Sequence, residues 1–479
     1  MYKRKPDFLD DLTEHEKELV RCCAAGEDCI AVNTEKVAPI VRRLFDEEKR
    51  KPETNQRNLE TIKTLAVREW LGQDEAAPTI RAELIRYLLL GGDDDHPVDP
   101  SGVRILGAWI TGVLELEGCT NLPILILADC EIAATPILRG ARGHTFSFDG
   151  SRMSGLEAAM LKTSGGVYLR NGFEATGEVQ LVGAEIGGNL DCAGGTFDGA
   201  PKSLSLQQMN VSGTLFLRNL KAPPKGRVDL YAAKVGSVND DPDSWPEKPG
   251  DLILNGFRYD RFVGSVTDYA SRKDWLERQR ETDLTTDFKP QPFEQLAKVL
   301  REMGHVEEAK DIAILKLRYQ RDTSWRHGKK TIYDLGRYAW GHVFDGLVRF
   351  GYRPFRALLY AGIFITIGTL LFWWAGHSVD MVPNNPFLLK SEWKAALSAT
   401  EPYEAFHWSV PGFQTFSPLV YSIDTFVPLV NLHQEPHWIP SAETDKGCWI
   451  RVYLWFHIAA GWVITTLFAA SLAGIVKRD

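Results

Sequence analysis

A short pattern of apolar and polar positions recurs between Val103 and Phe257. Each unit has an apolar residue, a variable residue and a second apolar residue, followed by glycine, asparagine or aspartate. The units begin at Val103, Leu114, Leu125, Phe146, Val167, Val179, Leu190, Leu204, Leu215, Val228 and Leu252. Such short alternating runs, bounded by turn residues, predict strands of about three to four residues.

Turn residues flank these units at two fixed distances. Two places before the first apolar residue lie Gly112, Gly165, Gly177, Gly188, Gly213 and Gly226. Four places after it lie Gly118, Asp129, Gly150, Asn171, Gly183, Gly194, Asn219 and Gly256. We expect both positions to adopt positive φ, because glycine, asparagine and aspartate tolerate it best.

Strands this short bury a sufficient core only when copies of them are stacked. The pattern therefore predicts a parallel β-helix over residues 101–258, with about two such strands per coil and a rise of about 4.8 Å per coil. The alternative is an antiparallel β-sandwich. Sandwich strands are usually longer and lack glycines at fixed distances, so the β-helix is favoured.

Helical patterns lie on both sides of the repeat. Residues 1–100 are expected to be helical, and the amphipathic stretch 80–90 is expected to cap the β-helix, whose end would otherwise expose unpaired backbone. Residues 259–325 are expected to close the other end. They include a helix–glycine–helix pattern around Gly304 that resembles a tetratricopeptide (TPR) hairpin. Its candidate partner-docking residues are Phe293, Leu296, Leu300 and His305, and the alternative role is a connector.

Two long apolar stretches follow, at residues 357–376 and 450–476. A helix of about 20 apolar residues crosses the hydrocarbon core of a bilayer, so both are predicted to be transmembrane helices. The only Asp, Glu, Lys, Arg or His residues that interrupt the apolar character of the second stretch are Arg451, near its start, and His457, inside it. Ionisable residues within a span usually face other helices or water, which makes His457 a candidate gating or intramembrane polar site. The alternative places His457 at the membrane interface.

Charge asymmetry predicts the topology. A basic segment, residues 326–356, precedes the first span, and Lys477 and Arg478 follow the second, whereas the loop 377–449 is mainly acidic. The positive-inside rule then places both termini in the cytoplasm and the loop outside. The loop is rich in proline and aromatic residues. Its stretch 416–432 is expected to lie along the outer interface or to enter the membrane as a re-entrant element, and it lacks the potassium-filter sequence.

Composition excludes some functions. The 479 residues carry a formal charge of -8, so no nucleic-acid surface is predicted. Seven scattered cysteines favour a reduced compartment, and the amino terminus lacks an apolar leader.

Two clusters could be read as metal sites, Cys22–Cys23 with Cys29 and the run Asp93–His96. Buried helix thiols and an acidic turn are the favoured interpretations, so no metal ligand is predicted.

The sequence lacks the usual motifs of enzymes. The glycines join strands to strands, whereas a dinucleotide site needs a glycine turn between a strand and a helix. No zincin, serine-elbow, phosphate-loop or Cys-x-x-Cys motif occurs. The acids Glu115, Asp191 and Asp229 could form a carboxylate pair, as in polysaccharide-acting β-helices, but a solvated face is favoured. No catalytic residue and no cofactor are predicted.

Residues 80–86, 102–108 and 182–190 resemble bacterial membrane-anchored proteins with a pentapeptide-like β-helix and two C-terminal transmembrane helices. Residues 416–432 are similar to the outer loop of these proteins. The resemblance covers roughly residues 80–479 and implies a location in the bacterial inner membrane. Some relatives are labelled membrane-associated oxidoreductases, although the shared motifs are structural. The spacing near 11 residues departs from strict repeats of five.

The sequence therefore predicts a mixed fold: a helical N-terminal cap, a parallel β-helix, a TPR-like hairpin and two transmembrane helices. The favoured function is a non-enzymatic scaffold or sensor, held in the membrane lipid and binding an unidentified protein partner. The alternative is a homo-oligomeric two-span channel or membrane-perturbing effector, gated by the β-helix. An oxidoreductase is the third hypothesis.

Overall fold

The computed structural model describes residues 6–31, 34–48, 59–73, 78–328, 330–385, 390–410 and 412–474. The chain forms two compact units, Met1–Arg326 and His327–Asp479. The last residues of the predicted second span, 475–476, and the basic residues Lys477 and Arg478 lie outside the described part.

The first unit contains a parallel β-solenoid of about seven turns, as the repeat predicts. Phe146 pairs with Val167 and Val167 pairs with Leu190, so one coil separates partners by 21 and 23 residues. Among the described residues, antiparallel pairs occur only in two small two-stranded sheets, Gly92–Asp93 with His96–Pro97 and Met381–Pro383 with Trp438–Pro440. The sandwich alternative is therefore wrong.

Four stacks of strands form four faces. The first face contains Cys29–Ile30, Val103–Leu106, Leu125–Ala128, Phe146–Ser147, Val167–Tyr168 and Leu190–Asp191. The second contains Thr79–Arg81, Trp109–Thr111, Glu131–Ile132, Arg152–Met153, Glu174–Ala175 and Thr196–Phe197. The third contains Leu156–Glu157, Val179–Gln180, Lys202–Ser205, Arg227–Asp229 and Leu252–Ile253. The fourth contains Arg142–Gly143, Lys162–Thr163 and Glu185–Ile186. Three longer strands, Asn210–Leu217, Lys234–Asp240 and Arg258–Phe262, continue both the fourth and the first face.

The apolar units lie on the first and third faces, and they alternate between the two from Val167 to Val228. Val167 is on the first face, Val179 on the third and Leu190 on the first again. Each coil thus has two such strands, as predicted. The strands of the second and fourth faces were not predicted. Most of them bury only one residue, for example Met153 between exposed neighbours, so they lack the two apolar positions of a unit.

The two sets of turn residues act differently. Those after each unit have positive φ, for example 72° at Gly194 and 55° at Asn171, as predicted. Of those before each unit, only Gly112 does, so the prediction is wrong for the rest. A Cβ at Gly188 would lie 2.8 Å from the amide nitrogen of Gly166 in the preceding coil. These glycines are required because neighbouring coils approach closely.

The N-terminal region covers the first coil. Helices α1 (Glu14–Ala25), α2 (Thr34–Glu48) and α3 (Leu59–Gln73) precede α4 (Ala82–Leu89), most of which is buried in the solenoid core. Strand Cys29–Ile30 pairs with the first strand of the solenoid, and Thr79–Arg81 pairs with Trp109–Thr111. Backbone groups at the end of two faces are thereby paired, which confirms the cap.

Helix α3 also lies along one edge of the solenoid. The Arg68 guanidinium donates hydrogen bonds to the carbonyl oxygens of Gly150 and Gly172, at 2.9 and 2.7 Å, and to the Glu174 carboxylate at 2.9 Å. Thr64 Oγ1 donates to Asp129 Oδ1 at 2.6 Å. One helix therefore contacts turns of several successive coils.

Helices also close the last coil. They are α5 (Tyr269–Glu277), α6 (Glu281–Thr285), α7 (Gln291–Glu302) and α8 (Val306–His327). Gln291 Nε2 donates to the carbonyl of Phe257 at 3.0 Å and Gln295 Nε2 to that of Tyr259 at 2.7 Å. The amide side chains of α7 thus pair backbone groups that would otherwise be open at the end of the sheet.

The second unit contains α9 (Ile332–Val348), α10 (Arg356–His377), α11 (Lys390–Ala396), α12 (Pro402–Ser409), α13 (Pro418–Phe426) and α14 (Asp445–Leu472). By length and composition, α10 and α14 are long and apolar enough to cross a membrane. The segment between them is folded around an aromatic cluster. Its buried members include Trp393, Phe406, Phe416, Tyr421 and Trp438.

Candidate functional site

Helix α13 lies between α10 and α14 and contacts both. Its start is favoured by Pro418 at the first helical turn, where the missing N–H costs no hydrogen bond. Its end is imposed by Pro428, because the residue before a proline disfavours helical geometry and Val427 is extended, with φ -98° and ψ 102°. The sequence therefore produces a short helix with a defined end between two long apolar helices.

Glycines in the long helices make room for α13. A Cβ at Gly461 of α14 would overlap the carbonyl oxygen of Phe426. A Cβ at Gly368 of α10 would lie 2.5 Å from Ser422 Oγ and 2.7 Å from His457 Cε1. Small residues at these positions let helix backbones approach closely, as they do at helix interfaces within membranes.

His457 joins α14 to α13 and is fully buried. Its Nε2 lies 3.1 Å from the carbonyl oxygen of Ser422, and its Nδ1 lies 3.1 Å from the hydroxyl of Tyr453. These partners assign the proton to Nε2, which donates to Ser422, while Nδ1 accepts from Tyr453. Ser422 Oγ in turn donates to the carbonyl of Ile365 in α10 at 2.9 Å. The predicted polar site thus connects all three helices.

Helix α13 packs along the two long helices as far as their middle. Tyr421 packs on Phe372 near the end of α10, with ring centroids 4.8 Å apart, whereas Phe426 packs on Phe364, at 5.9 Å. Phe426 also meets Gly461, which lies about 24 Å from the start of α14 at 1.5 Å per residue. The segment 416–432 therefore packs along α10 and α14 as far as their middle, and its placement relative to a membrane stays a prediction.

After α13 the chain turns back, and Asp424 holds the returning segment. Its buried carboxylate accepts hydrogen bonds from the backbone N–H groups of Leu432 at 2.6 Å, Gln434 at 2.8 Å and Glu435 at 2.8 Å. Gln434 Oε1 accepts from the N–H of Ser417 at 3.1 Å. These bonds tie the returning chain to both ends of α13.

The tip of the segment 416–432, residues 428–432, is open. Leu429 is 91% exposed, and Val430 and Asn431 are also exposed. Within the part of the chain that the structure describes, the carbonyl oxygens of residues 428–432 accept no hydrogen bond. The tip therefore presents irregular backbone with unused acceptors. It follows Phe426, which packs against the middle of α10 and α14.

The predicted docking residues of the TPR-like hairpin lie mainly in the core. Phe293, Leu296 and Leu300 of α7 are fully buried against the last coil. His305 is partly buried, and its Nε2 lies 3.3 Å from Thr267 Oγ1. A partner would meet the hairpin through its outer surface rather than through these three apolar residues. The docking role itself stays a prediction.

The three acids that were considered as a carboxylate pair are not brought together. Asp191 lies on the first face, where Arg170 donates to it at 3.1 Å. Asp229 lies on the third face and accepts from Gln207 Nε2 at 2.8 Å. Glu115 bridges to Ile137 on the third face, several coils away from Asp229. No two of these acids are therefore adjacent.

The two clusters considered as metal sites are accounted for by other contacts. Cys22, Cys23 and Cys29 are buried in the core, and burial raises the pKa of Cys23 and of Cys29 to about 12. Asp93 Oδ1 accepts from the N–H of His96 at 2.9 Å and lies 2.8 Å from His96 Nδ1, which closes a tight turn. Among the described residues, no group of three His, Cys, Asp or Glu side chains could hold a metal ion.

A groove of about 600 Å³ lies on the fourth face of the solenoid. It is polar and contains the ion pair of Lys162 Nζ with Glu185 Oε1, at 2.6 Å. Other lining residues are Asn121, Arg142, His144, Ser164, Asn210 and Ser212. The repeat pattern does not predict this groove, because the strands of the fourth face lack the apolar unit.

Searches of protein-family models, curated proteins and solved structures give no match to this chain. The parallel β-solenoid and the two apolar C-terminal helices agree with the resemblance described above. The bacterial origin and the family labels stay predictions from the sequence motifs.

Proposed function

We propose that the chain is a membrane-anchored β-helix protein whose second unit assembles with copies of itself around a water-filled path. In this proposal α10 and α14 cross the membrane, α13 with its tip is re-entrant, and the solenoid regulates the resulting channel. The single observation that carries the proposal is the depth of the open tip. Two helices alone would be sufficient for an anchor.

The physics of the bilayer supports assembly. Irregular backbone at membrane depth is tolerated only where protein buries it or where it lines a water-filled cavity, because unpaired carbonyl groups are costly in hydrocarbon. The tip has such carbonyls and an exposed Leu429. A neighbouring copy would cover the apolar side chains, and water would hydrate the oxygens. Two spans cannot enclose this water, so several copies are required.

The proposed orientation follows the charge asymmetry of the sequence. Both termini are cytoplasmic and the folded segment between α10 and α14 is external, in a bacterial inner membrane. Lipid would contact the large exposed apolar side chains of the two spans. These include Leu359, Ile363 and Leu370 of α10 and Trp455, Phe456 and Trp462 of α14. His457 is a positioning residue here, since its hydrogen bond to Ser422 holds α13.

Disulfide cross-linking and ion flux test the assembly. In full-length protein with the exposed Cys448 replaced by serine, Leu429→Cys should form inter-subunit disulfides in the membrane, because copies meet around the tip. Leu370→Cys, whose side chain is 60% exposed towards lipid, is the matched control and should cross-link much less. The purified chain should also be oligomeric in detergent and should release ions from proteoliposomes. A monomer without flux would refute the channel.

A membrane-anchored scaffold or sensor is the second candidate, and the groove on the fourth face supports it. Its polar lining, with Arg142 and Lys162, suits an acidic segment of a protein partner. A photo-cross-linking amino acid in place of His144 should form a covalent adduct with one and the same partner protein in independent experiments. The charge reversal Lys162→Glu should abolish that labelling, whereas Lys202→Glu on the third face should not. An oxidoreductase activity has no specific observation in its favour and is not proposed.

A further inference from the structure

We infer that the tip of the re-entrant segment, residues 428–432, favours the passage of cations over anions. The inference rests on the proposed channel and adds the class of ion that it carries. Three independent features of the second unit lead to it: the direction of α13, the chemistry of the tip backbone and the charge of the segment between α10 and α14.

Helix α13 directs its carboxyl end at the tip. Tyr421 packs beside Phe372, and Phe426, the last helical residue, lies deeper beside Phe364. The carboxyl end of a helix has a partial negative charge of about half an elementary charge. Water and neighbouring charges screen this field less at membrane depth than at a protein surface. The field at the tip therefore attracts cations.

The tip also presents more acceptors than donors. The carbonyl oxygens of residues 428–432 accept no hydrogen bond within the described part of the chain. By contrast, the N–H of Leu432 is bonded to Asp424 and that of Val430 to the carbonyl of Val427, and Pro428 has no N–H. Only the N–H groups of Leu429 and Asn431 remain for an anion. Carbonyl oxygens replace part of the hydration shell of a cation, as in cation-selective filters.

The segment between α10 and α14, which would surround the external entrance of the channel, is acidic. Residues 377–449 contain acids that outnumber the lysines Lys390, Lys394 and Lys446. One of the acids, Glu435, is exposed just after the returning chain leaves the tip. A mouth with one sign of charge raises the local concentration of the opposite ion. Cations are thus concentrated where the path begins.

The tip does not have the backbone of a potassium filter. None of residues 428–432 is glycine, and none has positive φ. The inference is therefore discrimination between cations and anions, without a preference for potassium over sodium.

Single-channel or macroscopic currents of the full-length protein in planar bilayers test this. Under a KCl gradient, the reversal potential should lie close to the equilibrium potential of K⁺, and replacing K⁺ by Na⁺ should change it little. A reversal potential near that of Cl⁻, or near zero, would overturn the inference and leave the channel proposal intact. The absence of any current would refute the channel proposal and the inference with it.

Two variants of the exposed Asn431 locate the selectivity. Asn431→Lys should lower the cation conductance on the order of tenfold, because the added charge repels the permeating ion. Asn431→Asp, a change of similar size, should maintain or increase the conductance. Equal effects of both variants, with equal amounts of oligomer recovered, would show that the tip does not line the path and would overturn the inference.

Discussion

The two sets of turn glycines predict opposite responses to one substitution. Gly194 has φ 72°, and the nearest atom to an added Cβ would be 3.7 Å away. Equivalent turn positions hold Asn171 and Asn219, with φ of 55° and 51°. Gly188 lacks positive φ, but its added Cβ would lie 2.8 Å from a backbone nitrogen of the preceding coil. Asparagine should therefore be accepted at position 194 and rejected at position 188.

The magnitudes follow from these contacts. At Gly188 the atoms in conflict are backbone, so the coils must separate. Overpacking of this kind costs about 1–3 kcal/mol. The hydrogen bond from the Gly188 N–H to the Gly165 carbonyl, 2.9 Å long, would be weakened as well, at about 1 kcal/mol. We expect Gly188→Asn to destabilise the protein by about 2–4 kcal/mol. We expect Gly194→Asn to change stability by less than about 1 kcal/mol, because asparagine tolerates positive φ.

Hydrogen exchange of the full-length protein in detergent measures both effects locally. Gly188→Asn should speed the exchange of amides in its own strand and in the preceding coil around Val167. Gly194→Asn should leave both regions close to the wild type. Thermal unfolding provides an independent comparison of the two variants. Equal destabilisation by both variants would refute the distinction between close approach and positive φ, and hence the assignment of contacts between coils.

Two further predictions concern buried polar groups. The Asp240 carboxylate accepts two hydrogen bonds from Arg272, at 2.8 and 2.9 Å, so Asp240→Ala should cost about 3–5 kcal/mol by leaving a buried charge unpaired. Burial alone raises the pKa of Asp240, but the hydrogen bonds and charge of Arg272 outweigh it and lower that pKa overall. The pair should therefore stabilise the fold above about pH 4 and lose this effect as pH falls through the lowered pKa. The measurement is the fall in the free energy of unfolding between about pH 4 and lower pH, which should be smaller in Asp240→Ala than in the wild type. His457→Leu should insert normally but lose ion flux, because its hydrogen bond to Ser422 is removed; unchanged flux would contradict the positioning role and favour the anchored scaffold.

The fold was predictable as far as the signal was repeated in the sequence. The apolar units predicted the first and third faces, and the residues after them predicted turns with positive φ. The second face was not predictable in this way, because a strand such as Glu174–Ala175 buries one small residue beside a charged one. The role of Gly188 was also mispredicted. Its requirement comes from a contact with the preceding coil, and a contact between residues far apart in sequence leaves no local pattern.

The candidate site was predicted in part. His457 was identified because it is an ionisable residue inside an apolar stretch. Its partner Ser422 was not, since serine in a loop is common and the contact spans 35 residues. The two predicted placements of residues 416–432, along the outer interface or re-entrant, both stay predictions. Gly368 and Gly461, which allow α13 to pack closely on α10 and α14, resemble ordinary glycines of an apolar helix until α13 is seen against them.

Closing the solenoid at both ends with separate elements has a consequence for its length. Strand Cys29–Ile30 seals one end, and Gln291 and Gln295 seal the other, and the coils beyond those that α3 contacts pair with the coils on either side of them. A whole coil of the kind between Leu190 and Leu215 could be duplicated or deleted without disturbing either seal. Each such event would alter the rod by about 4.8 Å. The length of the solenoid can therefore change by recombination in steps of one coil. Its ends stay closed, so their backbone groups do not pair with the strands of other molecules.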